Sequence, residues 1–193
     1  VSPRQLMQQG FPLFVEQTIE ATGITPAELR LEITETALLD APQQAAQVLG
    51  GLRELGVRIY LDDFGTGYSS LSHLHRLPVD ALKIDRSFVR GLMVDDRPAM
   101  VESILALARA LHTNVVAEGV EEERQASELQ RLGCNLAQGF YFSRPQPATV
   151  IEDLLTANQP FGAPTLAPPA ERTAQLTLVG PARGDRVRHR SAG

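Results

Sequence analysis

The 193-residue chain has little cysteine, no excess of positive charge and no long apolar run. Each of these absences argues against a particular class of protein. A single cysteine, Cys134, excludes an intrachain disulfide and favours a reducing compartment. The net charge of −5 argues against general binding to duplex nucleic acid. No apolar run approaches the ~18 residues of a transmembrane helix, and no signal peptide is visible. The hydrophobic fraction of 43% instead predicts a globular domain with a sizeable core.

Short apolar strands alternate with helix-length segments over most of the chain, which is typical of parallel β/α units. The predicted strands are 29–34, 57–62, 81–85, 114–118 and 136–142. The predicted helices are 12–21, 40–55 with Asp40 as its cap, one that starts at Asp96, 121–132 and 147–157. This alternation predicts the α/β class and a TIM-like (β/α) barrel architecture.

Residues 162–193 differ from the rest in composition, because proline and arginine are concentrated there. We expect a domain over 1–161 and a disordered Pro/Arg-rich tail over 162–193. A basic docking tail is the alternative interpretation of the same segment.

The segment 59–70 is the most informative stretch of the sequence, because an apolar run ends there in Asp62 and Asp63. A glycine-rich turn follows these two acids directly. Adjacent carboxylates at the end of a buried strand repel each other and are costly to desolvate, and a divalent cation relieves both costs. Capping of a helix, the alternative role, needs only one acid.

Every predicted strand ends in polar side chains, and in a barrel these ends converge on one rim. Carboxylate oxygens without clustered His or Cys suit Mg²⁺ or Mn²⁺ and not zinc. Two such ions about 3.5–4 Å apart activate a water and stabilise an anionic phosphoryl transition state. A lysine at the rim positions that water or neutralises developing charge. The residues at the strand ends are Glu32, Glu35, Asp62, Asp63, Lys83, Asp85, Glu118, Glu121 and Gln138.

Simpler interpretations exist for single members of this set. A lone acid after a strand is commonly a helix N-cap, and Glu121 suits that role because it opens a predicted helix. Lys83, flanked by Leu82 and Ile84, has the alternative of a surface lysine. The conjunction across five strand ends favours a shared site. The histidines His73, His75 and His112 have no metal-ligand partners at useful spacing and are expected at the surface or in helix packing.

Five motifs, in this order and spacing, resemble the EAL-domain phosphodiesterases of bacterial cyclic di-GMP signalling. They are LEITE at 31–35, LDDFGTGYSSL at 61–71, LKID at 82–85, AEGVE at 117–121 and QGFYFSRP at 138–145. The resemblance covers residues 1 to about 160. It implies a TIM-like barrel that hydrolyses cyclic di-GMP to pGpG with two Mg²⁺ or Mn²⁺ ions.

The resemblance also implies a role for each matching residue. It makes Lys83 the residue that holds or deprotonates the attacking water. It makes Glu35 the anchor of loop 64–70, which contributes to the metal site and to a homodimer contact. The implied metal ligands are Glu32, Asp62, Asp63 and Glu118; Glu118 is also catalytic, with Asp85 and Glu121 in support, and Gln138 and Pro145 lie near the substrate.

The Glu-Ala-Leu motif that names the family, and a ligand asparagine, would precede Val1. We therefore expect a truncated chain whose barrel lacks roughly the first two to three strands, with little activity alone. A non-catalytic, degenerate EAL module that binds cyclic di-GMP or a protein partner is the alternative. The resemblance further implies a parent protein with sensory or GGDEF-type modules and a cytoplasmic location for this portion, with a membrane-anchored parent left open.

Overall fold

A computed structural model describes residues 1–39, 42–67, 77–93 and 98–157, except for the side chains of Leu39 and Met93. Several predicted features lie outside these residues: the tail over 162–193, the helix starts at Asp40 and Asp96, the end of loop 64–70, His73 and His75.

Five strands form one sheet, and each strand pairs in parallel with the next one along the chain. All the strands therefore run the same way, and their carboxyl ends lie along one edge, called here the carboxyl edge. The opposite edge, where the strands begin, is the amino edge. The strands are β1 (Arg30–Thr34), β2 (Arg58–Phe64), β3 (Ala81–Ile84), β4 (Asn114–Ala117) and β5 (Leu136–Ala137).

Helices connect the strands and bury their apolar faces against the sheet. In α4, the inward residues Ala45, Leu49 and Leu52 recur at helical spacing and are fully buried. The described helices are α1 (Pro3–Leu6), α2 (Phe11–Thr22), α3 (Glu35–Leu39), α4 (Pro42–Glu54), α5 (Arg86–Arg90), α6 (Pro98–Ala110), α7 (Glu123–Arg131) and α8 (Ala148–Thr156), with 3₁₀ turns at Pro26–Glu28 and Gly91–Met93. The predicted alternation of parallel strands and helices is confirmed.

The last strand is much shorter than predicted. The sequence predicts a strand over 136–142, but β5 contains only Leu136 and Ala137. The chain then turns at Gly139, whose carbonyl accepts hydrogen bonds from the N–H groups of Phe142 at 3.1 Å and Ser143 at 3.3 Å. The apolar run after Gly139 is thus a turn, and its residues Phe140 and Ser143 line the same cleft as Glu118.

The start of α7 also differs from its prediction. Glu122, not Glu121, is the N-cap residue of this helix. The buried side chain of Gln125 accepts hydrogen bonds from the backbone N–H of Glu121 at 2.8 Å and of Glu122 at 3.1 Å. Gln125 thereby fixes the loop before α7, which leaves the Glu121 side chain free for another contact.

Candidate active site

The side chain of Lys83 lies at the carboxyl edge and contacts carboxylates from β1, from β2 and from the residue that follows β4. Its Nζ is 2.8 Å from Glu32 Oε1, 3.0 Å from Asp62 Oδ1 and 2.5 Å from Glu118 Oε1. The Lys83 side chain is only 4% exposed, so its interpretation as a surface lysine is wrong. All four residues of β3 are buried, because both faces of this central strand are covered.

The charged groups of this cluster shift one another's pKa values. Burial alone would lower the pKa of Lys83, but its hydrogen bonds to Glu118, Glu32 and Asp62 outweigh burial and raise that pKa above its usual value. The pKa of Glu118 is also raised, first by burial and then by the neighbouring Asp62 and Glu32, against the opposing effect of Lys83. With three carboxylates around one ammonium, the fully ionised cluster has a negative excess.

An irregularity in β2 orients the two adjacent aspartates. Leu61 pairs with Leu82 and Phe64 with Ile84, so β2 has one residue more than β3 between these pairs. Asp63 lies in this bulge with φ 54°, in the left-handed region that few residues other than glycine occupy.

The two carboxylates consequently take different environments. Asp62 contacts Lys83, while Asp63 lines an adjoining cleft. The pKa of Asp63 is raised, mainly by burial and further by the negative charges of Asp62 and Asp85. A backbone kept in a sparsely populated conformation, with a carboxyl group that is costly to ionise, is a common feature of functional sites.

Gln138 also belongs to this cluster. Its Nε2 donates a hydrogen bond of 2.7 Å to Glu118 Oε1, the same oxygen that contacts Lys83. Glu118 is therefore held between the ammonium group and the amide. This contact brings together the strand-end residues of β4 and β5 that the sequence placed on a common rim.

Asp85 and Glu121 lie in the cleft but make structural contacts as well. Asp85 caps α5, where its Oδ1 accepts a hydrogen bond of 2.9 Å from the N–H of Ser87. Burial alone would raise the pKa of Asp85, but the hydrogen bonds from Ser87 and Arg86 lower it overall. Glu121 forms an exposed ion pair with Arg90 at 2.8 Å. The N-cap interpretation thus suits Asp85 and is wrong for Glu121.

Glu35 is buried directly after β1 and faces the glycine-rich loop. Its Oε2 accepts a hydrogen bond of 3.4 Å from the Gly65 N–H, and its Oε1 is buried with no hydrogen-bond partner among the residues that the structure describes. A Cβ atom at Gly67 would lie 2.8 Å from that Oε1. Glu35 therefore lies against both described glycines of the loop.

A cleft of about 720 Å³ adjoins the Lys83 cluster. One wall is acidic and contains Asp63, Asp85, Glu118 and Glu121, while Gln138 and Pro145 also line the cleft. Sequence reasoning missed the basic and aromatic part of the lining, which is formed by Arg86, Phe140 and Arg144.

Two of these lining residues, Phe140 and Arg144, form a cation–π contact. The guanidinium of Arg144 lies 4.8 Å from the ring centroid of Phe140, and 53% of Phe140 is exposed. Both residues belong to the QGFYFSRP motif, but their stacking depends on the turn at Gly139. The missed Gln125 had a sequence signal, since Glu122 and Gln125 have the spacing of a capping box.

The oxygen atoms of this cluster are potential ligands for a divalent metal ion. Within the described ranges, no three or more His, Cys, Asp or Glu side chains are already placed to hold an ion. The carboxylates converge on Lys83 instead. Their chemistry nevertheless fits a hard cation, because Glu32, Asp62, Asp63 and Glu118 offer oxygen alone and a divalent ion would neutralise their negative excess.

An all-parallel β/α sheet with its polar site at the carboxyl ends of the strands is typical of TIM-barrel enzymes. The chain belongs to the EAL domain family, whose model matches residues 1–145. Solved EAL domains have a TIM-barrel fold, which confirms the predicted fold class for the part of the barrel present here.

Relatives with known names support this assignment. The chain is 46% identical over 153 residues to the cyclic di-GMP phosphodiesterase NbdA of Pseudomonas aeruginosa, with 79% of this chain and 20% of NbdA covered. It is 44% identical over 149 residues to MucR of the same species, a bifunctional diguanylate cyclase/cyclic di-GMP phosphodiesterase, with 77% of this chain and 22% of MucR covered.

Solved structures agree with the sequence relatives. The PaMucR phosphodiesterase in complex with cyclic di-GMP has a TM-score of 0.76 and 43% identity, covering 78% of this chain and 62% of that one. BlrP1 of Klebsiella pneumoniae, in a manganese/cyclic di-GMP complex, has a TM-score of 0.69 and 36% identity, covering 74% and 37%.

The chain spans about a fifth of the length of the curated relatives it matches. Over the described residues, no helix is both long and apolar enough to cross a membrane.

Proposed function

We propose that this chain is the catalytic portion of a phosphodiesterase that hydrolyses cyclic di-GMP to pGpG in bacterial signal transduction. The observation that carries the proposal is the Lys83 cluster, in which one buried ammonium contacts carboxylates from three other strand ends. The names of NbdA and MucR, and the nucleotide in the PaMucR complex, favour the same substrate.

The residues of the cluster suit hydrolysis of a phosphodiester. Lys83, held in its ammonium form, would orient the attacking water and offset the negative charge that develops on the phosphoryl oxygens. Asp63, Asp85 and Glu118 along the cleft are the available acceptors for the proton of that water.

A divalent cation would be held by Glu32, Asp62, Asp63 and Glu118, and we propose Mg²⁺ or Mn²⁺ because all four ligands are hard oxygens. When bound, it lowers the pKa of water and screens phosphoryl charge. The manganese/cyclic di-GMP complex of BlrP1 supports a divalent ion in this family.

The remainder of the cleft suits the rest of the nucleotide. Arg86 and Arg144 can bind phosphate oxygens by charge-assisted hydrogen bonds, and the exposed ring of Phe140 offers a flat apolar face to a base. Gln138 and Pro145 lie on the same lining, in line with their proposed place near the substrate.

Partners beyond the nucleotide are proposals as well. The bifunctional name of MucR supports a GGDEF-type module beside this domain in the parent protein. Glu35 contacts the described part of loop 64–70, and we propose that it anchors this loop for the metal site and a homodimer contact.

The test is cyclic di-GMP hydrolysis with Mn²⁺ or Mg²⁺, followed by separation of pGpG, alongside calorimetric titration of the nucleotide. We expect binding with slow turnover by the 193-residue chain, and fast turnover by the proposed parent protein with a complete EAL domain. Asp63→Asn should abolish turnover in both.

A parent that binds cyclic di-GMP without hydrolysing it would support the second candidate, a non-catalytic nucleotide-binding module. A parent with no affinity for the nucleotide in the presence of either ion would overturn both.

A further inference from the structure

The loop after β4 and the turn after β5 are joined through the backbone of Val120. The Val120 N–H donates a hydrogen bond of 3.1 Å to the Gln138 carbonyl, and the Val120 carbonyl accepts one of 2.9 Å from the Tyr141 N–H. Val120 itself is fully buried. These two hydrogen bonds, called here the Val120 clasp, connect the turn that contains Gln138 to the loop that contains Glu118.

Gly139 lies between the two hydrogen bonds of the Val120 clasp, and its lack of a side chain is what permits them. A Cβ atom at position 139 would lie 2.1 Å from the Val120 carbonyl oxygen and 2.3 Å from its nitrogen. Both obstructing atoms are backbone and cannot rotate away. Any larger residue must therefore separate the two segments and break the clasp.

The clasp determines where the Gln138 side chain reaches. Gln138 is the residue between β5 and Gly139, and its Nε2 donates the 2.7 Å hydrogen bond to Glu118 Oε1. That oxygen also contacts Lys83 at 2.5 Å. A displacement of the turn would thus move the Gln138 amide, which would in turn shift Glu118 relative to the Lys83 ammonium group.

We propose that Gly139 is a positioning residue, which acts through the Val120 clasp to keep Gln138 hydrogen-bonded to Glu118 before any ligand arrives. The geometric part of this inference stands without a ligand. Its consequence for metal and nucleotide binding rests on the proposed function. The first part is tested by the structure of the free chain, and the second by titration.

The experiment compares Gly139→Ala with Gly133→Ala. Gly133 is a matched control, because it has φ +86° and, among the described residues, its added Cβ would meet only Arg109 Nη1 at 3.9 Å. In the ¹⁵N spectrum of the free 21.0 kDa chain, Gly139→Ala should shift the Gln138 side-chain amide resonances and increase exchange of the Val120 N–H. Gly133→Ala should leave both unchanged. Because Gln138 is adjacent to residue 139 in sequence, its shift in Gly139→Ala supports a positioning role only when a substitution distant from Gln138 in sequence shifts the same side-chain amide resonances.

Gly119→Ala offers a second variant, which displaces the clasp from its other side. Gly119 precedes Val120 with φ +67°, and its Cβ would lie 2.5 Å from Arg86 Cβ. Gly23→Ala is its control, since Gly23 has nearly the same φ of +68° and a Cβ atom there would have no described atom within 4 Å. Gly119→Ala should shift the same Gln138 resonances, and Gly23→Ala should not.

The functional consequence is measured by Mn²⁺ and cyclic di-GMP titration of each variant. We expect affinity to fall about tenfold in Gly139→Ala, as when a residue that orients a metal ligand is lost. Unchanged Gln138 resonances in Gly139→Ala would overturn the proposal, as would unfolding of Gly139→Ala and Gly119→Ala while both controls fold. If the Gln138 resonances shift in both variants but the wild-type chain binds neither ligand, the positioning role would be upheld and the proposed function would be contradicted.

Discussion

The two edges of the sheet contain ion pairs of opposite design. At the amino edge, Arg58 at the start of β2 faces Asp80 just before β3, one charge against one at 3.2 Å, with half of the Arg58 side chain in solvent. At the carboxyl edge, buried Lys83 faces three carboxylates. The first pair has one charge of each sign and is half-exposed, whereas the second cluster buries its cation and has an excess of negative charge.

The partners of Asp80 show what the amino edge does. Its carboxylate also accepts a hydrogen bond of 2.9 Å from the Ile59 N–H, and its carbonyl accepts one of 3.1 Å from the Asn114 N–H. These contacts join β2, β3 and β4 where the strands begin. The amino edge is thus organised for stability, while the unbalanced carboxyl edge is organised to receive a cation and an anionic ligand.

The largest difference should appear when the cation of each edge is removed. Lys83→Met would leave carboxylates facing one another around a buried apolar side chain, which we expect to cost about 3 kcal/mol of unfolding free energy. Arg58→Met removes a half-exposed charge and should cost no more than about 1 kcal/mol. Urea unfolding followed by circular dichroism measures both. Equal losses in the two variants would contradict the distinction between the edges.

A second experiment replaces one aspartate with asparagine at each edge, Asp63 at the carboxyl edge and Asp80 at the amino edge. Burial, with the charges of Asp62 and Asp85, raises the pKa of Asp63, so its ionised form is disfavoured in the folded state and opposes stability above its ordinary pKa. Asp63→Asn should therefore leave the urea midpoint unchanged or higher at pH 7, while Mn²⁺ affinity falls at least about tenfold.

Asp80→Asn is the matched control and should behave in the opposite way. It weakens the hydrogen bond to Ile59 and the ion pair with Arg58, so we expect a loss of about 1 kcal/mol with Mn²⁺ affinity unchanged. Calorimetric titration and urea unfolding on the same preparations give both quantities. A fall in metal affinity in Asp80→Asn would show that the amino edge also shapes the site.

The convergence at the carboxyl edge could be predicted from sequence because parallel strands all end on one side. The burial of Lys83 could not, since a lysine between Leu82 and Ile84 has the alternation of a half-exposed strand. Lys83 is buried because both faces of β3 are covered by other elements, and this tertiary feature has no signal in the local sequence. The stop of β5 was missed for a similar reason: the close approach of Gly139 to Val120 joins residues far apart in sequence.

The smallest effect is expected from an ion pair that lies at the carboxyl edge but in solvent. The pair of Arg90 and Glu121 spans 2.8 Å with side chains 54% and 44% exposed. If burial of the cation, and not the edge itself, makes the Lys83 cluster costly to break, Arg90→Ala should leave the urea midpoint unchanged within error.

Salt gives a second measurement on the same variant. The Arg90–Glu121 attraction is screened in solvent, so any small difference between wild type and Arg90→Ala should vanish as ionic strength rises, whereas the Lys83→Met difference should persist. A large, salt-resistant loss in Arg90→Ala would mean that the whole carboxyl edge is electrostatically coupled. In that case the negative excess around Lys83 would extend along the cleft wall through Glu121, and the two ion pairs would act as one system.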